Sequence, residues 1–183
     1  GSEIMPLAKP GQLIPIDSEH NAIYEILQAY PNEVIDHITL PCSGGPFLGY
    51  KDLSHITMQD ALAHPRWNMG AKISLESALL INKGLEIIEA HYLFDLPLEK
   101  IQVKIHPECQ IHGMVTFRSK HTVAYISPPD MREHLENALL RAIGKAPKSH
   151  LQPFDPNLYR LSDPDHKTFP GINAVLNAFK QGR

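Results

Sequence analysis

Residues 101–126 read IQVKIHPECQIHGMVTFRSKHTVAYI, and this stretch decides the fold class. Apolar and polar residues alternate over residues 101–105, which is the period-two pattern of a half-buried β-strand. Two further strands are predicted over residues 111–117 and 122–126, and the short polar turn at residues 119–121 is typical of an antiparallel hairpin. Strands that cluster behind helices, instead of alternating with them, indicate an α+β fold.

The segments on both sides of these strands show helical periodicity. The longest predicted helix spans residues 74–94, with Ser74 as its N-cap and apolar side chains recurring on one face. Shorter elements are expected elsewhere: helices beginning at residue 17 and over residues 57–63, 131–143 and 172–180, and strands over residues 13–16 and 34–40. We therefore expect an α+β domain with a mixed or largely antiparallel sheet and helices on one face.

The composition is that of an ordinary globular chain with a near-neutral charge. The 183 residues are 43% hydrophobic and 20% charged, and 17 basic side chains stand against 20 acidic ones, for a net charge of −3. This balance argues against a general nucleic-acid binder, which needs a strongly basic surface. No apolar run approaches the roughly 18 residues of a membrane span. Two cysteines, Cys42 and Cys109, cannot build a disulfide framework and suit a reducing compartment.

Composition also divides the chain into three predicted segments. Residues 1–12 are a lead-in, and its first two residues, Gly1 and Ser2, look like the remnant of a cleaved expression tag. Residues 13–143 hold most of the periodic elements and form the main domain. Residues 144–183 form a proline-rich connector followed by a terminal helix. The sequence contains neither a Gly-x-Gly-x-x-Gly fingerprint nor a P-loop, so no dinucleotide-binding motif is predicted.

Two acidic residues at a predicted strand-to-helix junction form the first candidate site. Carboxylates such as Asp17 and Glu19 can converge on a hard cation, which prefers oxygen ligands. Acidic residues in the first turn of a helix are more often caps that satisfy free amides and the helix dipole. The pair alone therefore favours capping, and a third carboxylate would be needed to favour a metal.

A polar group inside the longest predicted helix is the second candidate. Asn82, Lys83 and Glu86 interrupt an apolar segment, and Gly84 beside them is unfavourable in a helix interior. Spacings of three and four residues let these side chains project toward one site. The alternative is a kinked helix that carries a surface ion pair between Lys83 and Glu86.

A glycine-rich run and two histidines are weaker candidates for a binding site. The run Ser43-Gly44-Gly45-Pro46 would let backbone amides approach a phosphate or another oxyanion, although such a run is more often an ordinary turn. His106 and His112 do not have the spacing of a zinc site, and neither cysteine lies near the other in sequence. We therefore do not predict zinc.

Five ordered motifs together resemble the 1-deoxy-D-xylulose 5-phosphate reductoisomerase family. They are IPIDSEHNAI at residues 14–23, SGGPF at 43–47, HPRWNMGAKIS at 64–74, NKGLEIIEA at 82–90 and PDMR at 129–132. The resemblance is strong over residues 13–131 and can be traced to residue 183. The family rearranges and reduces deoxyxylulose phosphate to 2-C-methyl-D-erythritol 4-phosphate in the non-mevalonate isoprenoid pathway. It uses NADPH and a divalent Mg or Mn ion.

The resemblance implies a role for individual residues. It assigns the metal to Asp17, Glu19 and Glu86, and the last of these is the third carboxylate that the acidic pair lacked. It assigns catalytic roles to Glu19, Lys83 and His64, and places Gly70 near the nicotinamide cofactor. Trp67 and Met69 would cap the substrate, and His112 would lie near the site. The residues implied in binding the substrate are Ser18, Ser43, His64, Ser77, Asn82, Lys83 and Glu86.

The resemblance also carries expectations for the whole chain. It implies that residues 13–143 form a catalytic domain of the kind found in glyceraldehyde-phosphate dehydrogenase. The family has a dinucleotide-binding domain and a C-terminal helical domain that this sequence does not match, so we expect a catalytic-domain fragment that is inactive alone. A homodimer formed through the sheet is implied, and the alternative function is a dimerisation module without ligand binding. The implied location is a bacterial cytoplasm or a plastid-type organelle, with no nucleic-acid or membrane partner.

Overall fold

The computed structural model describes residues 1–9, 11–63 and 69–182. Two short 3-10 turns lie at Met5–Leu7 and Leu98–Lys100. The helices in the described residues are α1 (Ser18–Ala29), α2 (Met58–Leu62), α3 (Ala71–Ala78), α4 (Ile81–Phe94), α5 (Met131–Ala142) and α6 (Gly171–Lys180). The strands are β1 (Ile35–Cys42), β2 (Ile101–Ile105), β3 (Ile111–Phe117), β4 (Thr122–Ile126) and β5 (Leu151–Pro153).

The five strands form one mixed sheet in the order β2-β1-β3-β4-β5. β1 and β2 run parallel, and the other neighbouring pairs are antiparallel. A parallel pair needs a long crossover connection, which here contains α2, α3 and α4. The predicted hairpin is confirmed: β3 and β4 pair in antiparallel register, with the Thr116 and Thr122 hydroxyls 2.8 Å apart.

The main helices pack on one face of this sheet, which confirms the predicted fold class. α1 lies across β3 and β4, while α4 packs against β1 and β2. A Cβ atom on Gly113 of β3 would lie only 3.0 Å from Ile23 Cδ1 and 3.1 Å from Ala22 Cβ. The missing side chain of Gly113 therefore allows α1 to approach the sheet closely, and this fixes the height of the α1 N-terminus above it.

The predicted helix over residues 74–94 is wrong, because the structure has two helices there. α3 ends at Ala78 and α4 begins at Ile81, and we call the intervening pair, Leu79 and Leu80, the α3–α4 break. Leu80 has a φ of 57°, in the left-handed region that costs a side-chain-bearing residue about 1–2 kcal/mol. Leu80 is nevertheless 3% exposed, so its packing stabilises a backbone that local preference disfavours. Apolar periodicity continues through the break, which is why the sequence did not show it.

Two further segments differ from the sequence-based expectation. The strand expected over residues 13–16 is not formed, and the Pro15 carbonyl instead accepts a hydrogen bond from Asn21 Nδ2 at 3.1 Å. The proline-rich stretch contributes a short strand, β5, which pairs with the edge of β4. Pro153 ends this edge strand, a position where a missing N–H is tolerated. Among the described residues, no helix has both the length and the apolar character needed to cross a membrane.

Buried polar side chains join α1 to α5. Asn21 Oδ1 accepts hydrogen bonds from His134 Nδ1 and Asn137 Nδ2, each at 3.1 Å. Asn137 Nδ2 also donates to the Tyr125 hydroxyl at 2.8 Å, which in turn donates to Glu133. His134 is fully buried, and burial together with the nearby His112 lowers its pKa from 6.5 to about 4.

This shift predicts a specific loss of stability in acid. An unfolded histidine takes up a proton near pH 6.5, whereas folded His134 stays neutral until about pH 4, so stability falls as the pH drops between these values. The size of the loss is about 3 kcal/mol. We expect His134→Asn, which keeps a donor for Asn21, to be less stable at neutral pH but to lose less on acidification. Urea unfolding of both proteins at about pH 7.5 and about pH 4.5 measures this difference. Equal losses in the two proteins would contradict it.

Candidate active site

The start of α1 holds the first two candidate ligands. Asp17 is the N-cap of α1, and its carboxylate accepts a hydrogen bond from the Glu19 amide at 3.3 Å. Ser18 donates its hydroxyl hydrogen bond to Glu19. Capping therefore explains the position of Asp17, but Glu19 points away from the helix end and toward α4.

Lys83 on the first turn of α4 reaches the same place. Its Nζ atom donates to Glu19 Oε1 at 2.8 Å, to Glu86 Oε2 at 2.5 Å and to the Pro41 carbonyl at 2.9 Å. Asn82 Nδ2 donates to the other oxygen of Glu86 at 2.6 Å. Lys83 and Glu86 are both 4% exposed, so the alternative of a surface ion pair on a kinked helix is wrong.

Three carboxylates converge beside this lysine. One oxygen atom from each of Asp17, Glu19 and Glu86 can be chosen so that all three lie within 4.8 Å of one another. One ammonium group faces them, so the cluster holds an excess of negative charge in a largely buried place. An all-oxygen donor set of this kind suits a hard divalent cation such as Mg²⁺ or Mn²⁺. The residues present therefore fit the metal that the family resemblance implies.

The pKa values of the cluster reflect competition for one ammonium group. Burial would raise the pKa of Glu19, but the charge and hydrogen bond of Lys83 hold that pKa well below its usual range. Burial and the neighbouring charge of Glu19 raise the pKa of Glu86 well above its usual value, in spite of Lys83. Burial would lower the pKa of Lys83, but its two carboxylate partners raise it well above normal. Lys83 is thus held as a cation.

His20 supports the cluster from behind, although the sequence motif analysis did not single it out. Its Nε2 atom lies 2.9 Å from the backbone carbonyl of Glu86, and because a carbonyl only accepts, Nε2 donates. Its Nδ1 atom faces Asp17 Oδ1 at 3.4 Å. Burial would lower the pKa of His20, but Asp17 raises it to about 9. His20 is one helical turn from Asp17, a spacing that could have marked it in the sequence.

The cluster lies on the wall of a cavity of about 310 Å³. Both polar and apolar side chains line the rest of it. The polar ones include Ser18, Ser43, Ser77 and Asn82, and the apolar ones include Met69, Ile73, Leu80 and Met131. Every described residue that the resemblance implied in metal or substrate binding lies on this cavity.

Ser77 reaches the cavity from the end of a helix. The helix predicted over residues 74–94 would place Ser77 in its first turn, but Ser77 lies in the last turn of α3. The helix start that faces the cavity belongs to α4, where Asn82 and Lys83 lie in the first turn. The amides of this turn have no partner inside the helix, which favours an anion there.

The other residues singled out in the sequence lie beside the cavity, in the core, or outside the described residues. Gly70 is the exposed N-cap of α3, directly after Met69 on the cavity wall. His64 and Trp67 lie outside the described residues. His112 is buried on β3, and its Nε2 lies 3.1 Å from the Ser127 carbonyl. Within the described part of the chain, the residue groups able to hold a metal include neither His106 nor His112.

The chain is similar to one family of enzymes. A family model for the C-terminal domain of 1-deoxy-D-xylulose 5-phosphate reductoisomerase matches residues 13–94. The reductoisomerase of Pseudarthrobacter chlorophenolicus is 43% identical over 100% of this chain and 47% of its own length. That of Clostridium acetobutylicum is 41% identical over 93% of this chain and 45% of its own length. The chain therefore spans about half the length of the curated relatives it matches.

Solved structures of reductoisomerases are also similar to this chain. A DOX-P reductoisomerase in complex with NADPH, fosmidomycin and magnesium aligns with a TM-score of 0.76 and 35% identity, over 91% of this chain and 44% of that chain. The Zymomonas mobilis enzyme in complex with NADPH aligns with a TM-score of 0.76 and 34% identity, over 93% of this chain and 45% of that chain.

The buried position of Lys83 predicts a large effect of neutralising it. Lys83→Met keeps most of the side-chain volume but leaves Glu19 and Glu86 facing each other without a cation. We expect the free energy of unfolding without added metal to fall by about 3–5 kcal/mol. Urea unfolding at neutral pH measures it, with Lys104→Met as the matched control.

Lys104 pairs with the exposed Asp163 at 2.6 Å, and such surface pairs contribute little. A loss in Lys83→Met no larger than that in Lys104→Met would show that the cluster does not depend on its ammonium group.

Proposed function

Because this chain belongs to the 1-deoxy-D-xylulose 5-phosphate reductoisomerase family, we propose that it is the metal- and substrate-binding part of such an enzyme. The reaction is the NADPH-dependent rearrangement and reduction of deoxyxylulose phosphate to 2-C-methyl-D-erythritol 4-phosphate. The observation that carries the proposal is the convergence of Asp17, Glu19 and Glu86 on one cavity. The same cavity is lined by Ser43, Ser77 and Asn82, whose side chains can donate hydrogen bonds to an anion.

Asp17, Glu19 and Glu86 would hold the divalent ion. When bound, such an ion polarises a carbonyl and a neighbouring hydroxyl of the substrate and stabilises the oxyanions that form. Lys83 donates a hydrogen bond to Glu19 at 2.8 Å beside the place where those oxygens would lie. Glu19 is therefore positioned to accept a proton, and Lys83 to donate hydrogen bonds to oxygen atoms that become negative.

Polar side chains on the same cavity would bind the phosphate. The hydroxyls of Ser43 and Ser77 and the side-chain amide of Asn82 are all donors, and all three residues line the cavity. Gly45 N donates to Ser43 Oγ at 3.0 Å, which orients that hydroxyl toward the cavity wall. Lys83 would lie close to both the phosphate and the metal, since it is next to Asn82 in the chain and contacts Glu86.

The apolar wall would cover the reacting carbons. Met69, Ile73 and Met131 present side chains that exclude water, and Gly70 beside Met69 leaves room for a nicotinamide ring. NADPH itself would be bound largely by protein outside this chain, and His64 would contact the substrate. The chain by itself is then expected not to turn over. The location proposed with this activity is a bacterial cytoplasm or a plastid-type organelle.

A homodimer formed through the sheet belongs to the same proposal, and it defines the alternative function. If the chain were a dimerisation module alone, it would form dimers but would bind no metal through its carboxylates. Light scattering combined with the metal titration below separates the two functions, because a dimer without carboxylate-dependent Mn²⁺ binding supports only the module.

Metal binding provides the first test. We expect the chain to bind Mn²⁺, and Asp17→Asn or Glu86→Gln to weaken that binding by about tenfold or more, because each removes a negative ligand. Titration calorimetry with MnCl₂ measures the affinity. Glu76→Gln is the matched control, since Glu76 on α3 belongs to neither group of described residues able to hold a metal. An equal loss in the control, or no loss in the ligand variants, would contradict the assignment.

Activity provides the second test, in a chimera. The Pseudarthrobacter chlorophenolicus reductoisomerase, with its matching segment replaced by this chain, should oxidise NADPH when given deoxyxylulose phosphate. The same chimera with Glu86→Gln should be slower by about a hundredfold or more, because its metal ligand is lost. Absorbance of NADPH follows the reaction. Turnover by the 183-residue chain alone would contradict its role as a part, and a folded but inactive chimera would contradict the proposed function.

A further inference from the structure

The start of α6 packs directly on the α3–α4 break. An ideal Cβ atom on Gly171 would lie 2.1 Å from the Leu79 carbonyl oxygen and 3.0 Å from the Ile81 amide nitrogen. No real Cβ atom approaches a backbone atom so closely. Gly171 therefore has no side chain because two backbones meet at this point.

A second glycine holds the same region from the other side. A Cβ atom on Gly45 would lie 3.1 Å from the Ser77 carbonyl oxygen and 3.1 Å from Ala78 Cα. Gly45 belongs to the loop after β1, whereas Gly171 begins α6, so the two contacts come from distant parts of the chain. Together they enclose the last residues of α3 and the first of α4.

The break determines where the anion-binding donors point. Ser77 lies just before it and Asn82 just after it, and both line the cavity together with Leu80. Leu80 occupies the left-handed region, a conformation that persists in a leucine only where the surroundings enforce it. Such backbone strain is common where a protein holds functional groups in place.

We propose that Gly171 is a positioning residue for the anion-binding end of the cavity. Its missing side chain allows α6 to pack on the α3–α4 break, and the break places the Ser77 hydroxyl and the Asn82 side-chain amide where they can donate to a phosphate group. The ligand in this statement rests on the proposed function, whereas the contact between α6 and the break rests on geometry alone.

Space, and not backbone conformation, is what requires glycine here. Gly171 is absent from the glycines with positive φ, and it is the first residue of a helix. Alanine is a better helix former than glycine at such a position. Gly171→Ala would therefore favour α6 locally, and any damage it causes comes from the contact with Leu79 and Ile81.

The test compares three variants of the 183-residue chain with the wild type, using inorganic phosphate as the probe. In Gly171→Ala we expect the backbone amide signals of Leu80, Ile81 and Asn82 to shift, and phosphate to bind about tenfold more weakly or worse. Amide NMR spectra with a phosphate titration give both readouts. Asn173→Ala, at an exposed position of the same helix, should change neither.

Val175→Ala separates positioning from general destabilisation. Val175 packs on Gly84, one turn beyond the break, because a Cβ atom on Gly84 would lie 2.9 Å from Val175 Cβ. This variant loosens the α4–α6 contact without touching Leu79, so phosphate affinity should change by less than about twofold. If Val175→Ala weakens phosphate binding as much as Gly171→Ala does, the role of Gly171 is merely structural and the inference is overturned.

The remaining outcomes also decide the matter. Unchanged amide signals at the break and unchanged phosphate binding in Gly171→Ala would overturn the inference and leave the proposed function standing. Wild-type phosphate shifts that map away from residues 80–83 would contradict the proposed anion end, and the inference with it. If Gly171→Ala does not fold, native-state hydrogen exchange of the wild type decides. Shared opening of α6 and the break supports the inference, whereas a break that stays protected while α6 opens overturns it.

Discussion

Lys83 places its ammonium group at the junction of three elements. It donates to Glu19 at the start of α1, to Glu86 on its own helix and to the carbonyl of Pro41 in β1. A buried charge is costly unless it is paired and hydrogen-bonded, and here all three donor hydrogens have an acceptor. The interaction therefore fixes α1, α4 and the sheet relative to one another, at the place where the three carboxylates meet.

The same interaction explains why the cluster suits a cation. Lys83 shares its single charge between Glu19 and Glu86, and the charged group that faces Asp17 is His20, at 3.4 Å. The fold thus holds the negative charges together with one ammonium and one imidazolium, which is sufficient for folding and leaves an attraction for a divalent ion. Metal binding would then add to stability, because an ion that binds only the folded state shifts the folding equilibrium.

Much of the fold and of the site could be predicted from local patterns. Alternation identified β2, β3 and β4, and the acidic pair at a helix start marked Asp17 and Glu19 as candidates, although the pair alone favoured capping. Glu86 was marked as part of a polar group in an apolar segment, but only the family motif grouped it with Asp17 and Glu19, because nothing local relates residues so far apart in the chain. The Leu80 break and β5 escaped prediction for a common reason. Both are set by contacts with distant segments, such as Gly171 against Leu79, which periodicity along one segment does not record.

Three departures from local rules lie on α4 or at its start, and α4 contributes to the wall of the cavity. Leu80 in a left-handed conformation, a buried lysine, and Gly84 inside a helix each break a rule that a plain core helix would obey. All three lie on α4 or at its start, and each has a tertiary contact that compensates for it. A helix under such constraint has a fixed direction, so the groups on its first two turns are held at fixed separations.

The same helix brings the two kinds of proposed ligand contact together. Asn82 and Glu86 are four positions apart on α4, and Asn82 Nδ2 donates to Glu86 Oε1 at 2.6 Å. A donor suited to an anion and a ligand suited to a cation are therefore in direct contact, and Lys83 donates to the same carboxylate. A small phosphosugar likewise carries a phosphate within a few bonds of oxygens that can bind a metal. A compound in which these two groups lie far apart could not reach both kinds of contact on the first two turns of α4, and this is the constraint that the helix places on its ligand.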